Sequence, residues 1–277
     1  MPTLYIVGTP IGNLDDVTFR AINILKEVAY IAAEDTRITR KLLSHYKIRS
    51  KIFSLNKDNA HFRVTDILLK AAGEDLALVT DAGSPGLIDP AHELVSAADE
   101  CGYKIIAIPG PSSLTAAISL SPFPINSFVF IGFPPRKSGD LKRLFQDLLL
   151  DEKPIIFFES PRRIQNTLGY LEELCPDRLL LTTREISKIY EERFIGTPTE
   201  TLEHYDHPRG EFTIIVNSGE PIKEESNEHW VELNKQLKQS GITGRAAAVE
   251  LSKIAGISKS RAYRFILENG DISKGPR

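Results

Sequence analysis

Four short apolar runs each break into a loop of glycine, proline and small polar residues, and this repetition restricts the fold more than any other feature of the chain. Leu4-Tyr5-Ile6-Val7 leads into Gly8-Thr9-Pro10-Ile11-Gly12-Asn13, and Leu76-Ala77-Leu78-Val79 into Thr80-Asp81-Ala82-Gly83-Ser84-Pro85-Gly86. Ile105-Ile106-Ala107-Ile108 leads into Pro109-Gly110-Pro111-Ser112-Ser113, and Ile155-Ile156-Phe157-Phe158 into Glu159-Ser160-Pro161. Continuous apolar runs of this length are strands buried on both faces. In an open parallel α/β sheet, ligands sit outside the carboxyl ends of the strands, so these loops point to one site.

The intervening residues carry helical periodicity, which makes the first half a series of βαβ units. Ala21, Leu25 and Val28 recur at the spacing of one buried helical face. Strands are predicted near 30–33 and 52–55, helices near 38–46, 60–72 and 91–98. The run Ser121-Pro122-Phe123-Pro124 disfavours both helix and central strand and marks a boundary. Beyond it, strands are predicted at 128–131, 155–158, 179–182, 191–195 and 212–216, with helices near 141–150 and 164–174. Some of these strands are joined by short polar links, so the second sheet is expected to be mixed. The expected organisation is an α/β domain over 1–121, a second α/β domain over 122–219, a polar linker over 218–227 and a helical unit over 228–277. In the last unit Ala247, Leu251 and Ile254 form one apolar face, Gly256 ends that helix, Ser258 could cap the next, and Ala262, Phe265 and Ile266 continue the pattern. The pair is either a helix-turn-helix or an ordinary hairpin packed on the body.

Charge is distributed unevenly. The net charge is −3, yet from Lys235 to Arg277 nine Lys or Arg stand against Glu250, Glu268 and Asp271, so this tail carries +6 and the rest −9. A basic appendage on an acidic body is either a polyanion-binding surface or a solvated tail, and Lys259, Arg261 and Arg264 are its candidate contacts to a polyanion. No apolar run approaches the roughly 20 residues that cross a bilayer, and Met1-Pro2-Thr3 runs into a core strand without a basic flank, so a cytoplasmic protein is expected. Cys101 and Cys175 lack metal-ligand or redox spacing and the histidines are scattered, so no metal is expected.

The first loop has neither G-x-G-x-x-G spacing nor a following Gly-Lys-Ser/Thr, which argues against a dinucleotide or phosphate cradle. Prolines at 10, 85, 109 and 111 remove backbone donors, a poor design for an anion but compatible with a neutral or cationic ligand such as a sulfonium. Asp81 could accept hydrogen bonds from a ribose or amino group, or it could bond its own turn. Ser112 and Ser113 could meet a ligand or serve only as helix caps.

The set Leu4–Asp16, Glu34-Asp35-Thr36-Arg37, Thr80–Gly86, Ile108–Ser113, Phe158–Pro161, Arg184-Glu185 and Gly210-Glu211-Phe212 resembles the tetrapyrrole-methylase-fold methyltransferases, closest to their ribosomal RNA small subunit methyltransferase I branch, over nearly the whole chain. The resemblance implies two α/β domains with an S-adenosylmethionine cleft between them and 2′-O-methylation of a cytidine in small-subunit rRNA or the assembled small subunit. A homodimer is also implied. Pro10, Ile11, Gly12, Asp81, Ala82, Gly83, Ser84, Gly110, Ser112, Ser113, Glu159 and Glu211 correspond to donor-binding positions. A tetrapyrrole or protein acceptor on the same fold, and a non-catalytic assembly factor, are the rival readings. A ribose hydroxyl is a weak nucleophile at neutral pH, so a proton acceptor or alkoxide stabiliser is required. The candidates are Glu34, Asp35 and Arg37 in one cluster, and Arg184, Glu185, Lys188 and Glu192 in another, each of which could equally be a structural ion-pair set.

Overall fold

Leu76 and Leu78 point to one face of the first sheet, Ala77 and Val79 to the other, and all four are buried. That is the outcome the unbroken apolar run requires, because successive strand residues alternate faces and both faces here are covered. The computed structural model describes residues 1–219, 228–255 and 259–268. The linker positions 220–227 and the expected helix end at Gly256, cap at Ser258 and cations Lys274 and Arg277 lie outside the described residues.

The first sheet comprises β1 (Thr3–Val7), β2 (Tyr30–Ala33), β3 (Lys51–Ser54), β4 (Leu76–Val79) and β5 (Lys104–Ile108), in the order β3-β2-β4-β1-β5. Every pairing in it is parallel, with Leu4 beside Leu76 and Ile105, and Ile31 beside Ile52 and Ala77. One face packs on α3 (Ala60–Ala71) and α4 (Ala91–Glu100) through Val64, Ile67, Leu68, Leu94 and Ala98. The other packs on α1 (Phe19–Glu27) and α2 (Thr36–His45) through Ala21, Leu25, Leu42 and Leu43. Each fully buried leucine of this kind contributes about 1.5–3 kcal/mol through removal from water. The helices start where the sequence provides an acceptor: Thr18 caps α1 through Ala21 N–H, and Asp35 caps α2 through Arg37 N–H. The short α5 (Ser113–Ser119) follows the loop after β5.

The second sheet holds β6 (Val129–Phe130), β7 (Ile155–Glu159), β8 (Leu180–Arg184), β9 (Glu192–Gly196) and β10 (Phe212–Val216), ordered β6-β7-β10-β8-β9. It is mixed, as expected. β6 and β7 are parallel, whereas the link 185–191 between neighbouring β8 and β9 is too short for the crossover that a parallel pair needs. Its helices are α6 (Ser138–Leu148), α7 (Ile164–Leu174) and α8 (Pro198–His204). Three further helices, α9 (Glu228–Gln239), α10 (Gly244–Ala255) and α11 (Lys259–Glu268), share a core of Trp230, Leu237, Ala247, Leu251, Ala262, Phe265 and Ile266. Ile254 is not on that face: it is 56% exposed, because the buried side of α10 runs through Ala247, Ala248, Leu251 and Ala255.

Two compact units result. One contains Met1–Pro124 together with Thr182–Phe194 and Gly210–Ile215, the other Ile125–Leu181, Ile195–Arg209 and the described residues of 216–277. Among the described residues, no helix is long and apolar enough to cross a membrane.

Candidate functional site

The loops after β1, β4 and β5 meet through their main chains. Gly8 N–H donates to Ile108 O at 3.1 Å, and Thr9 and Gly83 exchange N–H···O bonds at 2.9 and 3.1 Å. Thr9 Oγ1 donates to Thr80 O at 3.1 Å and fixes the second loop from beneath. Gly8 and Gly110 touch backbone to backbone: a Cβ built on Gly110 would fall 2.8 Å from Gly8 Cα and O, a distance no side chain tolerates. Ser84 Oγ stands 3.2 Å from the corresponding Cβ position of Gly8, and Ile11 Cγ2 and Pro111 O flank Gly83. The structure thus brings Pro10, Ile11, Gly12, Asp81, Ala82, Gly83, Ser84, Gly110, Ser112 and Ser113 into one group of joined loops. Ser112 takes the N-cap position of α5 without a side-chain cap bond, so its hydroxyl is not consumed by the helix.

Glu34, Asp35 and Arg37 join this group at the end of β2. Asp81 Oδ1 accepts the Asp35 N–H at 2.8 Å, while the Asp81 N–H points to Glu34 Oε2 at 3.4 Å. Burial pushes the Glu34 carboxyl above its ordinary value, and the charges of Asp81 and Asp89 add to the rise. Burial also lifts Asp81. Asp35 behaves oppositely: its hydrogen bonds to Arg37, the closest at 2.6 Å, bring it to about 2. The Glu34–Asp81 pair makes this part of the site electronegative, and the prolines leave few N–H donors to meet an anion. Such a lining suits a cation and repels phosphate.

The second cluster rests on the first loop. A Cβ on Gly12 would lie 2.3 Å from Lys188 Cγ, so the lysine stem lies directly over that glycine. Lys188 Nζ bonds Glu185 Oε1 at 2.8 Å and Glu211 Oε2 at 3.0 Å. Burial alone would lower the lysine, but these two carboxylates outweigh it and hold the ammonium above its usual range. Burial would likewise raise Glu185; the bonds from Lys188 and the Glu211 N–H, with the nearby Arg184 charge, win and depress it. Both groups therefore remain charged at neutral pH. Arg184 Nη2 pairs with Glu192 at 2.9 Å, while its Nε is a buried donor without a partner among the described residues. Glu185 and Ser187 have φ of 51° and 67°, left-handed positions that cost about 1–3 kcal/mol each and recur at ligand-handling loops.

Other predicted residues take different places. Glu159 is 1% exposed and engaged inside the second unit, with Thr167 Oγ1 at 2.7 Å, Ser160 N–H at 2.8 Å and Arg163 at 3.6 Å. Its carboxylate anchors α7 and has no free face for a ligand. Arg264 is tied to Asp151 at 3.1 Å, so the charge expected for polyanion contact is partly neutralised within the second unit. Lys259 is exposed; the side chain of Arg261 lies outside the described residues. Cys101 is exposed and Cys175 buried, with burial pushing its thiol up to about 11. Among the described residues, no group of three or more His, Cys, Asp or Glu is arranged to hold a metal.

Four residues of the site were not singled out by sequence. Thr9 ties two loops, Asp89 bonds the Gly86 and Ala91 N–H groups and bears on Glu34, and Ser187 Oγ bonds Asp16. Asp89 carried a readable signal in its Asp-Pro-Ala turn before a helix; the Asp16–Ser187 contact spans most of the chain and had none.

Residues 3–203 match the family model of the Tetrapyrrole (Corrin/Porphyrin) Methylases. The chain is 37% identical over 274 residues to the ribosomal RNA small subunit methyltransferase I of Synechocystis, covering 97% of this chain and 98% of that protein. The enzymes of the same name from Halalkalibacterium halodurans and Thermotoga maritima are 42% and 41% identical, covering 95% and 79% of this chain and 94% and 100% of their own lengths. Among solved structures the fold is similar to the methyltransferase CobJ, with a TM-score of 0.60 at 20% identity over 79% of this chain and 95% of that one. The uroporphyrin III C-methyl transferase of Thermus thermophilus gives 0.58 at 17% identity over 77% and 97%.

Proposed function

Because the chain belongs to the tetrapyrrole methylase family, and within it to the ribosomal RNA small subunit methyltransferase I group, we propose that it transfers a methyl group from S-adenosylmethionine to the 2′-hydroxyl of a cytidine in small-subunit rRNA. The observation that carries the reading is the joined, proline-stiffened loop group, short of N–H donors and carrying the half-buried Glu34–Asp81 pair. That lining fits a sulfonium and disfavours a phosphate-bearing cofactor. The acceptor assignment rests on relatives that share the rRNA name across nearly the full length of this chain.

S-adenosylmethionine supplies an electrophilic methyl carbon open to in-line displacement. The chain's own residues provide the placement. Asp81, with one oxygen taken by the Asp35 N–H, keeps the other for a ribose or amino group of the donor. Ser84, Ser112 and Ser113 offer hydroxyls, and the Gly8–Gly110 contact lets the backbone approach without side chains in between. Rigid placement of this kind accounts for several kcal/mol of a bimolecular barrier.

The two clusters divide the remaining work. Lys188 stays protonated and cannot accept a proton; its ammonium favours negative charge developing on the ribose oxygen. Glu185, held ionised below its ordinary value, positions Lys188. Glu34, lifted above its ordinary value by burial, is the candidate proton acceptor of the site. The protein acts in the cytoplasm, on rRNA or on small subunits, as a homodimer.

The test is transfer of a tritiated methyl group from labelled S-adenosylmethionine to small ribosomal subunits, followed by nuclease digestion. Label in 2′-O-methylcytidine supports the reading. Label on a base, or binding of subunits without uptake, overturns it, the second outcome marking a non-catalytic assembly factor.

A further inference from the structure

The segment 36–51 carries Arg37, Arg40, Lys41, Lys47, Arg49 and Lys51 and no Asp or Glu. This stands out in a body whose charge outside the C-terminal tail is negative. The structure lays these cations in a line. On α2, Thr39, Leu42 and Leu43 are buried against the sheet, which leaves Arg37, Arg40, Lys41 and Ser44 on the exposed side at the i, i+3, i+4, i+7 spacing of one helical face. The helix ends beside Lys47, which adopts φ 54°, the left-handed position that glycine ordinarily fills after a helix. Lys47 N–H bonds Ser44 O at 3.1 Å and Ile48 N–H bonds Leu43 O at 2.8 Å, so the exit of the chain is fixed.

At this end a groove of about 890 Å³ opens, lined by Arg40, Leu43, Ser44, Lys47, Ile48, Arg49, Ser50 and Ile52. Arg40, Lys47 and Arg49 are exposed, and none of the three has an acidic partner in ion-pair range among the described residues. Three exposed cations around one concave surface create a positive potential that draws an anionic strand toward it. The other end of the helix is Asp35–Arg37, already joined to the Asp81 loop. Ten residues of helix span about 15 Å, so the basic line runs from the loop group toward the opposite end of the sheet.

We propose that the α2–β3 groove is a second nucleic-acid contact, a track for the phosphodiester backbone of the RNA strand that flanks the target nucleotide; this rests on the RNA reading above. Basic grooves that follow a strand without reading its bases work through phosphate neutralisation and counterion release. Arg40, Lys47 and Arg49 each meet a phosphate, and Ser44 adds a neutral hydroxyl donor. The groove contributes affinity and orientation, not base choice.

The experiment uses the full chain and the triple variant R40A/K47A/R49A, with protein-free small-subunit rRNA as the probe and binding measured from about 0.1 to 1 M salt. Three lost single-strand phosphate contacts should reduce the slope of log affinity against log salt by about 2, weakening binding roughly 100-fold at 0.1 M and converging on the unaltered protein near 1 M. S-adenosylmethionine affinity is measured in parallel and should be unchanged, which separates a folding defect from a lost contact; the single changes R40A and R49A, each expected to reduce the slope by about 0.7, replace the triple variant if it unfolds. An unchanged slope in a variant, while the unaltered protein binds RNA with steep salt dependence, overturns the groove and leaves the RNA reading standing. Absence of salt-dependent RNA binding by the unaltered protein overturns the RNA reading itself. Normal binding to protein-free rRNA with weakened binding to assembled subunits assigns the groove to an acidic protein and also overturns the proposal.

Discussion

Replacing Gly110 by alanine tests how the three loops are held together. The added Cβ would stand 2.8 Å from Gly8 Cα and O and 2.9 Å from Gly8 C, all backbone atoms that cannot rotate away. Ordinary carbon contacts lie near 3.5–4.0 Å, so the loops must separate by roughly 1 Å. That movement stretches the 3.1 Å bond from Gly8 N–H to Ile108 O and shifts Ser84, whose Oγ sits against Gly8. Overpacking of a close-packed contact typically costs about 1–3 kcal/mol. A misplacement near 1 Å in a site of fixed geometry lowers productive binding by up to about 100-fold. Denaturant unfolding and equilibrium dialysis with labelled S-adenosylmethionine should therefore both register the change. Gly169→Ala is the control: it lies inside α7 with nothing within 4 Å of its Cβ position, and should stabilise the protein by about 0.5–1 kcal/mol without affecting donor binding. A Gly110→Ala protein as stable and as tight-binding as the unaltered one would refute the argument that backbone contact builds the site.

Asp81→Asn should weaken donor binding by about 10–100-fold, the worth of one hydrogen bond to a charged group. It should leave stability at neutral pH equal or higher, because a carboxyl raised in the fold favours the folded state only at low pH, an advantage lost as pH rises through the folded value; lower stability in thermal unfolding would contradict this. Lys188→Met should lower stability at neutral pH and weaken its dependence on pH. Glu185 is depressed in the fold, so its contribution is present above its ordinary 4.5 and lost as acid drives pH through the folded value; Lys188 is raised, so its contribution is present below 10.5 and lost as pH climbs through the folded value. Unfolding curves at pH 3 to 11 should show both flanks flattened in the variant. Maleimide should label Cys101 promptly and Cys175 only on unfolding, since one thiol is exposed and the other buried and raised to about 11; equal rates would contradict the placement.

The strands and their loops were legible because their signal is local. An apolar run followed by glycine and proline identifies a buried strand and its exit without knowledge of its neighbours, and β1, β4, β5 and β7 lie where such runs predict. The parallel first sheet followed from helical spacing between those runs, and the mixed second sheet from the short links. Two helices were overlooked. α8 carried its capping box, Thr197 with Glu200, and a proline at its first position, but only a single turn of apolar residues to show periodicity. α9 places Trp230, Leu233 and Leu237 on one side, yet lies in a charged stretch behind the polar segment. Within the site, the loop residues could be read from motifs, whereas their joining could not. Lys188 over Gly12 and Gly8 against Gly110 are long-range contacts that no local pattern encodes. Glu159 and Arg264 show the converse: residue type and position suggested ligand contact, and buried or ion-paired partners elsewhere in the chain absorbed them.

The central claim is that these loops accept a sulfonium and turn away phosphate. Calorimetry on the full chain, titrated in parallel with S-adenosylmethionine, its demethylated product, ATP and NAD, tests it most directly. Heat with the first two and none with the nucleotide phosphates is the expected result. Tight binding of ATP or NAD with no heat from either methionine compound would contradict it.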